Sequence, residues 1–387
     1  MEYVKLKEIA SIVTGGTPST SKKEYWENGT IPWLQSGCCQ NCNVISSSSF
    51  ITQEGYDNSV TKLMPKDTIL IALTGATAGK VGYLTFEACG NQSITGITLN
   101  KDNLPKFLFY YLLYLRPKIL RDCVGGAQPH ISQGYVKEID YPSLSKNKQQ
   151  EIVSILDTIN NIIDADKKQL ELLDEAVKSR FIEMFGEPNS NPKNYPIMKI
   201  DELFDVGSSK RVFESEWTDS GVPFYRTREI VKLSQDGFVN NELFITEEMF
   251  EKYKDKYGVP KADDMMVTGV GTLGVCYIVK ESDRFYFKDG NTLWFKNKGL
   301  CDVRFIKDQY DTDFVKEQIN RNANASTVGT YTITNAKNTL VLVPPIEEQH
   351  QYIEFVKLID KSKFNIQQHL NLMQELLDKK MDEYFGG

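Results

Sequence analysis

The chain has 387 residues, of which 41% are hydrophobic and 25% are charged, and its formal net charge is −7. This length exceeds one ordinary domain, and the composition is that of a globular protein. No run approaches the roughly 18 unbroken apolar residues of a membrane-spanning helix, and the N-terminal MEYVKLKEIASIV lacks the apolar stretch of a signal peptide. We therefore expect a cytoplasmic protein of two or three domains that does not enter a membrane.

The negative charge is unevenly distributed. Residues 1–145 carry 13 basic and 12 acidic side chains and residues 188–345 carry 21 and 23, which gives net charges of +1 and −2. Residues 146–187 carry 6 and 9 and residues 346–387 carry 5 and 8, so each has −3. The two longer segments are nearly neutral and can present local basic surfaces, so the overall charge does not exclude nucleic-acid binding.

An internal repeat with an offset of 200 residues is the strongest signal. RFIEMFG, which ends at Gly186, recurs as KMDEYFG, which ends at Gly386. Ahead of each copy, apolar residues recur in alternating steps of four and three, which is the heptad pattern of a helix that packs along one face. The seam positions singled out are Leu156, Ile159, Leu170, Leu173, Val356, Ile359, Leu370 and Leu377.

This pattern predicts two long helices, from about Lys148 and Glu348 to the two Phe-Gly pairs. Each would have ~35 residues and a length of about 50 Å. Each seam has one polar position, Asp166 or Lys363, and antiparallel pairing would bring these opposite charges near the middle of the bundle. The alternative is two core helices of one globule, but such helices are usually about a third as long.

The segments ahead of the helices also correspond to each other. VKLKEIASIV and IMKIDELFDV each predict a short strand and a helical turn, and DTILIALTGATAGKVGYL and DMMVTGVGTLGVCYIV predict strands interrupted by glycine. A helix is predicted around Leu104–Leu115, and residues 188–195 are the expected linker. The predicted fold is α+β with a pseudo-twofold repeat: two mainly β domains, residues 1–145 and 188–345, separated and joined by antiparallel coiled-coil helices, residues 146–187 and 346–387.

Three short motifs suggest small-ligand chemistry but lack its full signature. GVGTLG at Gly269–Gly274 satisfies GxGxxG, yet the residues after it predict a strand instead of the helix that receives a pyrophosphate. GATAGK at Gly75–Lys80 is one residue too short for a phosphate-binding loop and lacks its Ser or Thr. Cys39 and Cys42 have the spacing of half a zinc site without a second pair of ligands. Glycines at equivalent β-turns explain the first two motifs together.

Catalytic motifs are not recognisable in the sequence. The three histidines, His130, His350 and His369, accompany neither a nucleophile elbow nor a zinc-binding helix. The target-amino motif of aminomethyltransferases and the carboxylate cluster of nucleases are also not found. We predict that the chain is not an enzyme and binds no cofactor or metal of its own.

Two variable β-rich domains, each followed by a long helix that ends in Phe-Gly, resemble the specificity (S) subunit of Type I restriction-modification enzymes. The likeness covers essentially the whole chain, and its most telling segments are YPSLSKNKQQEIVSILD and VPPIEEQHQYIEFVKLID at the helix starts. Gln149 follows Pro142 by seven residues, whereas Gln349 follows Pro344 by five. We therefore expect the first helix to start less regularly.

The resemblance implies a non-catalytic subunit in which each β-rich domain binds one half of a split site in double-stranded DNA. The paired helices would act as a ruler and as a docking surface for two modification subunits, one near each repeat, and for restriction subunits. These partners would carry out the chemistry and bind S-adenosylmethionine, ATP and magnesium. The two domains have unlike loops, so the full DNA site is expected to be asymmetric.

Residues for DNA recognition can be proposed from side-chain chemistry. Basic side chains position a protein on the phosphates, and Arg, Lys, Gln or Asn read base edges. The candidates are Ser19, Lys22, Lys23, Gln128 and His130 in the first domain and Lys210, Arg211, Arg226, Arg228 and Asn324 in the second. The alternative for each is a solvated surface residue.

Two other functions fit parts of the sequence. A coiled-coil adaptor that binds no DNA would use the same helices, and salt-sensitive DNA binding distinguishes it from the first hypothesis. A nucleotide-binding enzyme would depend on the glycine segments, and in particular on Gly271 and Lys80.

Overall fold

The computed structural model describes residues 2–123, 129–323 and 329–386. These residues form two compact units. Unit 1 comprises residues 1–169 and 366–387, and unit 2 comprises residues 170–365. Each unit therefore combines one β-rich segment with parts of two long helices. The division into four consecutive segments expected from the sequence, with boundaries after residues 145, 187 and 345, remains a prediction.

The first half of the chain alternates short strands and helices and ends in a long helix. The strands are β1 (Tyr3–Lys5), β2 (Ala10–Thr14), β3 (Ile31–Leu34), β4 (Cys42–Val44), β5 (Ser49–Ile51), β6 (Ile69–Ala72), β7 (Val81–Leu84), β8 (Cys89–Gly90), β9 (Ile94–Leu99) and β10 (Asp140–Pro142). The helices are α1 (Leu6–Ile9), α2 (Gln53–Asp57), α3 (Pro105–Asp122), α4 (Gln133–Lys137) and α5 (Lys146–Phe185).

The second half of the chain has the same organisation. Its strands are β11 (Ile197–Lys199), β12 (Phe204–Gly207), β13 (Val222–Tyr225), β14 (Phe244–Ile245), β15 (Met265–Thr268), β16 (Cys276–Ile278), β17 (Tyr286–Phe287), β18 (Thr292–Asn297) and β19 (Leu340–Leu342). Its helices are α6 (Ile200–Leu203), α7 (Thr227–Asp236), α8 (Glu247–Tyr257), α9 (Val303–Gln309), α10 (Asp313–Ala323), α11 (Ile333–Asn338) and α12 (Ile346–Phe385).

The two units have closely similar sheet topologies. In unit 1 one sheet has the strand order β2-β9-β6-β7-β4, and a smaller sheet has the order β5-β3-β8. Unit 2 has the corresponding orders β12-β18-β15-β16 and β14-β13-β17, and among its described residues no strand takes the place of β4. The central strands β6 and β15 are buried along their whole length, in agreement with their continuous apolar sequences. The predicted α+β fold with an internal repeat is confirmed.

The two glycine motifs form turns between antiparallel strands. Gly75 and Gly79 lie between β6 and β7 with φ of 71° and 72°, and Gly271 and Gly274 lie between β15 and β16 with φ of 70° and 75°. Glycine adopts this left-handed conformation without the steric cost that a side chain brings. After each turn the chain continues as a strand, so the nucleotide-binding alternative loses the helix N-terminus that it requires.

Helix α3 is longer than predicted. The sequence indicated a helix around Leu104–Leu115, whereas the structure continues it through Pro117 to Asp122. Ile119 in the last turns is buried in the core of unit 1. This packing explains how the helix persists beyond an internal proline, which by itself disfavours helix.

The two long helices have 40 residues each, which corresponds to about 60 Å. They begin at Lys146 and Ile346, two residues earlier than predicted. The expectation of a less regular first helix is wrong, because Gln149 and Gln349 both occupy the fourth position of their helices. Among the described helices, none combines sufficient length and apolar content to cross a membrane.

A buried glutamine fastens the start of α5 in unit 1. Gln149 Oε1 accepts a hydrogen bond from the backbone N–H of Leu104 at 2.8 Å, immediately before α3. Its Nε2 donates to the carbonyl of Leu144 at 2.9 Å and to Asn103 Oδ1 at 3.0 Å. One side chain therefore joins the long helix to the start of α3, and this position explains why the helix begins where it does despite the different proline spacing.

Gln349 holds the start of α12 in unit 2 in the same way, and its replacement should destabilise the fold. Its Oε1 accepts from the N–H of Asp302 at 2.9 Å, and its Nε2 donates to the carbonyl of Pro344 at 2.7 Å. We expect Gln349→Leu to lower the free energy of unfolding by about 2–4 kcal/mol, because two buried backbone groups lose their partners. Urea denaturation measures this change, with Gln351→Leu at an exposed position of α12 as the control. A Gln349→Leu chain as stable as the control would contradict the assignment.

In unit 1 the first part of α5 packs antiparallel to the last part of α12. Lys148 lies within electrostatic range of Glu383, whereas Asp166 is hydrogen-bonded to His369 at 2.7 Å. The seam residues Leu156, Ile159 and Leu377 are buried, and Leu370 is half-buried. Asp166, the polar seam position, is also buried, and its partner is a histidine of the facing helix.

In unit 2 the last part of α5 packs antiparallel to the first part of α12. Lys363 donates a hydrogen bond to Asp174, and the guanidinium of Arg180 lies 5.7 Å from the ring centre of Phe355. Val356 is buried, whereas Leu170, Leu173 and Ile359 are half-buried. The two polar seam residues thus have separate partners, His369 for Asp166 and Asp174 for Lys363.

Each Phe-Gly pair ends its helix in an aromatic cluster. In unit 1 the ring of Phe385 packs against Phe107, Tyr111 and Tyr114 at centroid distances of 5.4, 5.4 and 5.7 Å. In unit 2 the ring of Phe185 packs against Phe181, Tyr195, Phe305 and Tyr352 at 5.1, 6.1, 5.0 and 5.7 Å. Gly186 has φ 77°, and a Cβ there would lie 2.3 Å from the ring of Pro192. The predicted helix ends are confirmed.

Candidate nucleic-acid interface

Three loops of unit 2 converge at one end of its smaller sheet. Strands β13 and β17 are parallel, so the residues that follow them, Arg226 and Lys288, leave the sheet at the same end. The loop after β12 reaches the same place, because Arg211 Nε donates to Asp289 at 2.9 Å. These loops, residues 208–213, 226–228 and 288–291, form the unit 2 loop surface.

The unit 2 loop surface brings together four of the residues predicted to contact DNA, namely Lys210, Arg211, Arg226 and Arg228. Lys210, Arg211 and Arg228 are exposed, and Arg226 is half-buried. Lys288, which sequence reasoning missed, adds a further positive charge, and its Nζ lies 5.9 Å from the ring centre of Trp217. No local motif identifies Lys288, because it comes close to Arg226 only through the pairing of β13 with β17, about 60 residues apart in the sequence.

A buried carboxylate organises the two arginines at the start of α7. Glu229 is 3% exposed and accepts from the backbone N–H of Arg226 at 2.9 Å and from its guanidinium at 3.1 and 3.2 Å. Arg228 Nε donates to the same carboxylate, and its Nη2 donates to Glu242 at 2.5 Å. Burial raises the pKa of Glu229, but the hydrogen bonds from both arginines outweigh burial and leave this pKa below its ordinary value. Glu229 is therefore ionised at neutral pH.

Unit 1 has an equivalent surface with different chemistry. Strands β3 and β8 are parallel, and they are followed by Gln35 and by Asn91 and Gln92. The loop after β2 joins them, since Thr17 Oγ1 donates to Gln92 Oε1 at 2.5 Å. These loops, residues 15–23, 35–37 and 91–93, form the unit 1 loop surface.

Three predicted residues, Ser19, Lys22 and Lys23, lie exposed on the unit 1 loop surface. The hydroxyl oxygens of Ser19 and Ser21 are 2.9 Å apart. Lys22 Nζ donates to the hydroxyl of Tyr25 at 2.8 Å, and this hydrogen bond raises the pKa of Lys22. Hydroxyls and amides thus surround the two lysines of unit 1, whereas unit 2 presents mainly arginine and lysine.

His130 occupies a different place from these loops. It pairs with Thr74 in a short antiparallel bridge, and the adjacent Pro129 accepts from the N–H of Gly75 at 3.1 Å. His130 is exposed beside the glycine turn between β6 and β7. The remaining two candidates, Gln128 and Asn324, lie outside the described residues.

Metal-ligating side chains do not assemble in the part of the chain that the structure describes, where no three His, Cys, Asp or Glu are placed to hold an ion. Cys39 is buried, Cys42 is exposed, and Cys38 is half-buried. The hydrogen bond with Cys39 lowers the pKa of the Cys38 thiol.

Apolar side chains are exposed on the long helices, away from the seams. In unit 2 Leu358 and Phe364 of α12 are 67% and 61% exposed, and Leu172 of α5 is 49% exposed. In unit 1 Leu372 and Leu376 of α12 are exposed as well. Leu372 and Leu376 are four residues apart and so share one face of α12, and contiguous exposed apolar side chains are typical of surfaces that bind another protein.

Two copies of a β-rich domain with a polar loop surface, together with long paired helices, define a modular recognition protein. A family model described as the Type I restriction modification DNA specificity domain matches residues 1–175 and 192–375, once for each copy. The chain therefore belongs to this family, and the resemblance predicted from the sequence is confirmed.

Individual relatives agree with this assignment. The Type I restriction enzyme MjaIX specificity subunit of Methanocaldococcus jannaschii is 24% identical, over 99% of this chain and 92% of its own. The EcoR124I/EcoR124II specificity subunit of Escherichia coli is 32% identical over 44% of this chain and 45% of its own. The crystal structure of a Type I restriction-modification system S subunit from M. genitalium has a TM-score of 0.59 at 16% identity, over 98% and 94% of the two chains. This structural likeness shows the fold.

Proposed function

We propose that this chain is the DNA-specificity subunit of a Type I restriction-modification complex and has no catalytic activity itself. The observation that carries the proposal is the pair of loop surfaces, which occupy equivalent places in two like units but differ in side-chain chemistry. Each loop surface binds one half-site of double-stranded DNA. Because the two surfaces differ, the two half-sites differ, and the complete site is bipartite and asymmetric.

The chemistry of both surfaces suits DNA. Lysines and arginines contact phosphates, and arginine and amide side chains form paired hydrogen bonds with base edges in the major groove. The 40-residue helices have a length of about 60 Å, which is about 1.7 turns of B-DNA at roughly 34–36 Å per turn. A gap of unread bases between the half-sites follows from a spacer of this length.

The helices also dock the partners. Two modification subunits, one near each repeat, bind the exposed apolar side chains of the helices, and restriction subunits join the complex. Methyl transfer and cleavage, together with S-adenosylmethionine, ATP and magnesium, belong to these partners. A coiled-coil adaptor without DNA binding is the alternative function, since the same helices would serve it.

Two measurements on the complex with its modification subunits test the proposal. Long-read detection of methylated bases in a host that carries these genes should show one asymmetric, interrupted sequence. Titration with duplex DNA at several salt concentrations should give a binding constant that falls linearly with salt on a logarithmic scale. A single continuous palindrome contradicts the bipartite site, and binding without salt sensitivity favours the adaptor.

Lys210→Ala should weaken DNA binding without changing which sequence is preferred. A lysine that neutralises one phosphate contributes to all sequences alike, so the slope of log K against log salt should fall by about one. Lys337→Ala is the matched control, because Lys337 lies outside the loop surfaces and pairs with Asp201. An unchanged salt slope for Lys210→Ala would remove this residue from the interface.

A further inference from the structure

The carboxylate of Glu229 holds Arg226 and Arg228 of the unit 2 loop surface in defined orientations. Arg226 donates to this carboxylate from Nε and Nη2, and these two nitrogens form one edge of its planar guanidinium. Arg228 donates a hydrogen bond from Nε to Glu229 and another from Nη2 to Glu242. A guanidinium carries five N–H groups in a rigid fork, so bonds on one edge determine where the other edge points.

The terminal edge of each guanidinium, formed by Nη1 and the second N–H of Nη2, remains available for a ligand. Within the described ranges, no hydrogen bond joins Nη1 of Arg226 or Arg228 to another residue. The two adjacent nitrogens at the end of Arg226 therefore present a pair of parallel donors beside the loops that follow β12 and β17. Guanine offers the matching pair of acceptors, O6 and N7, in the major groove.

We infer that Arg226 and Arg228 read guanine in the half-site that unit 2 binds, and that Glu229 is the positioning residue for both. This inference rests on the proposed function and adds the base that one unit recognises. Glu242 is exposed, so its bond to Arg228 is the contact that DNA displaces, whereas the buried Glu229 remains in place.

The residue of unit 1 that corresponds to Arg226 supports a difference between the bases that the two units read. Gln35 directly follows β3, as Arg226 directly follows β13. Glutamine lacks a second donor group with the guanidinium geometry and does not form the same contact with guanine. The inference therefore concerns the half-site of unit 2 alone.

A capping role of Glu229 is the structural alternative. Glu229 accepts the backbone N–H of Arg226 at the start of α7, which stabilises this helix end. Glu229→Gln keeps the shape of the side chain and an acceptor for that N–H, but it removes the charge that orders the guanidinium groups. A role limited to capping would leave base preference unchanged.

The experiment uses the complex of the full chain with its modification subunits and duplexes that carry the mapped site. Each guanine is replaced in turn by 7-deazaguanine, which keeps base pairing and lacks the N7 acceptor. For the wild-type complex we expect a loss of affinity of about 5- to 150-fold at one or two guanines of the unit 2 half-site.

Variants of Arg226, Arg228 and Glu229 should lower this sensitivity to 7-deazaguanine. Arg226→Lys and Arg228→Lys keep the positive charge, so we expect a similar salt slope, weaker binding to the natural site and little further loss with 7-deazaguanine at the corresponding position. Glu229→Gln should reduce the same discrimination with little change in thermal unfolding. Arg284→Ala is the control, because Arg284 pairs with Glu247 and lies before β17, at the opposite end from the unit 2 loop surface.

The outcomes separate the inference from the proposed function. A unit 2 half-site without guanine, or variants that discriminate 7-deazaguanine as the wild type does, overturns the inference while sequence-specific binding persists. Loss of discrimination in Glu229→Gln restricted to that half-site supports it. A wild-type complex without sequence-specific, salt-sensitive DNA binding rejects the proposed function itself.

Discussion

Phe185→Ala is expected to destabilise unit 2 by about 3–5 kcal/mol, because it removes a fully buried ring from the end of α5. This ring contacts four aromatic side chains that belong to different elements: Phe181, Tyr195, Phe305 and Tyr352. Its loss leaves a cavity, and the surrounding rings cannot all move to fill it. The effect should therefore approach the upper part of the range for large-to-small core substitutions.

Hydrogen exchange with mass spectrometry measures this effect within unit 2. Peptides that cover β15 and β18 should lose protection in Phe185→Ala, and urea denaturation should begin at a lower concentration. Leu172→Ala is the control on the same helix, because Leu172 is about half exposed, and its effect should stay near 0.5–1 kcal/mol. Equal protection in both variants would show that the Phe-Gly motif has another role.

Phe364→Glu is expected to weaken assembly with the modification subunit by at least about thirtyfold. Phe364 is an exposed aromatic side chain on α12, and buried aromatic anchors at interfaces commonly contribute 2 kcal/mol or more. A carboxylate at this position would also have to lose its water without a partner. Leu358→Glu, in the same part of α12, should act in the same direction.

Fold and assembly must be measured separately for this prediction. Lys361→Glu is the control, since it lies between these positions, is exposed and changes the charge more strongly. Thermal unfolding of the isolated chain should be unchanged in all three variants, and co-purification with the modification subunit should be lost only in Phe364→Glu and Leu358→Glu. Assembly of both glutamate variants at wild-type strength would place the docking surface elsewhere.

The helices and the repeat could be predicted from the sequence because their signals are local. A heptad seam such as Leu156 and Ile159 recurs every three or four residues, and glycine after Phe185 marks the helix end. The helix starts were less accurate. They depend on Gln149 and Gln349, which accept hydrogen bonds from backbone groups 45 and 47 residues away. Counting from Pro142 and Pro344 therefore predicts an irregularity that the structure does not have.

The loop surfaces could be predicted only in part. Arg226 and Arg228 can be predicted because these basic residues stand close together in the sequence. Their orientation depends on Glu229, three residues after Arg226. Lys288 reaches the same surface through the parallel pairing of β13 with β17. Such pairing connects distant segments and leaves no periodic signal, so the convergence of the loops appears only in three dimensions.

The division of the chain into units determines the order in which the protein can mature on the ribosome. Unit 2 is one continuous stretch, residues 170–365, whereas the core of unit 1 includes Leu377 and Phe385. At about 5–20 residues per second, roughly 10–40 s pass between the synthesis of residue 169 and that of residue 366. Phe385, which packs against Phe107 and Tyr111 of α3, is missing from the core of unit 1 during this interval. The unit encoded second is therefore the first whose residues are all present during translation.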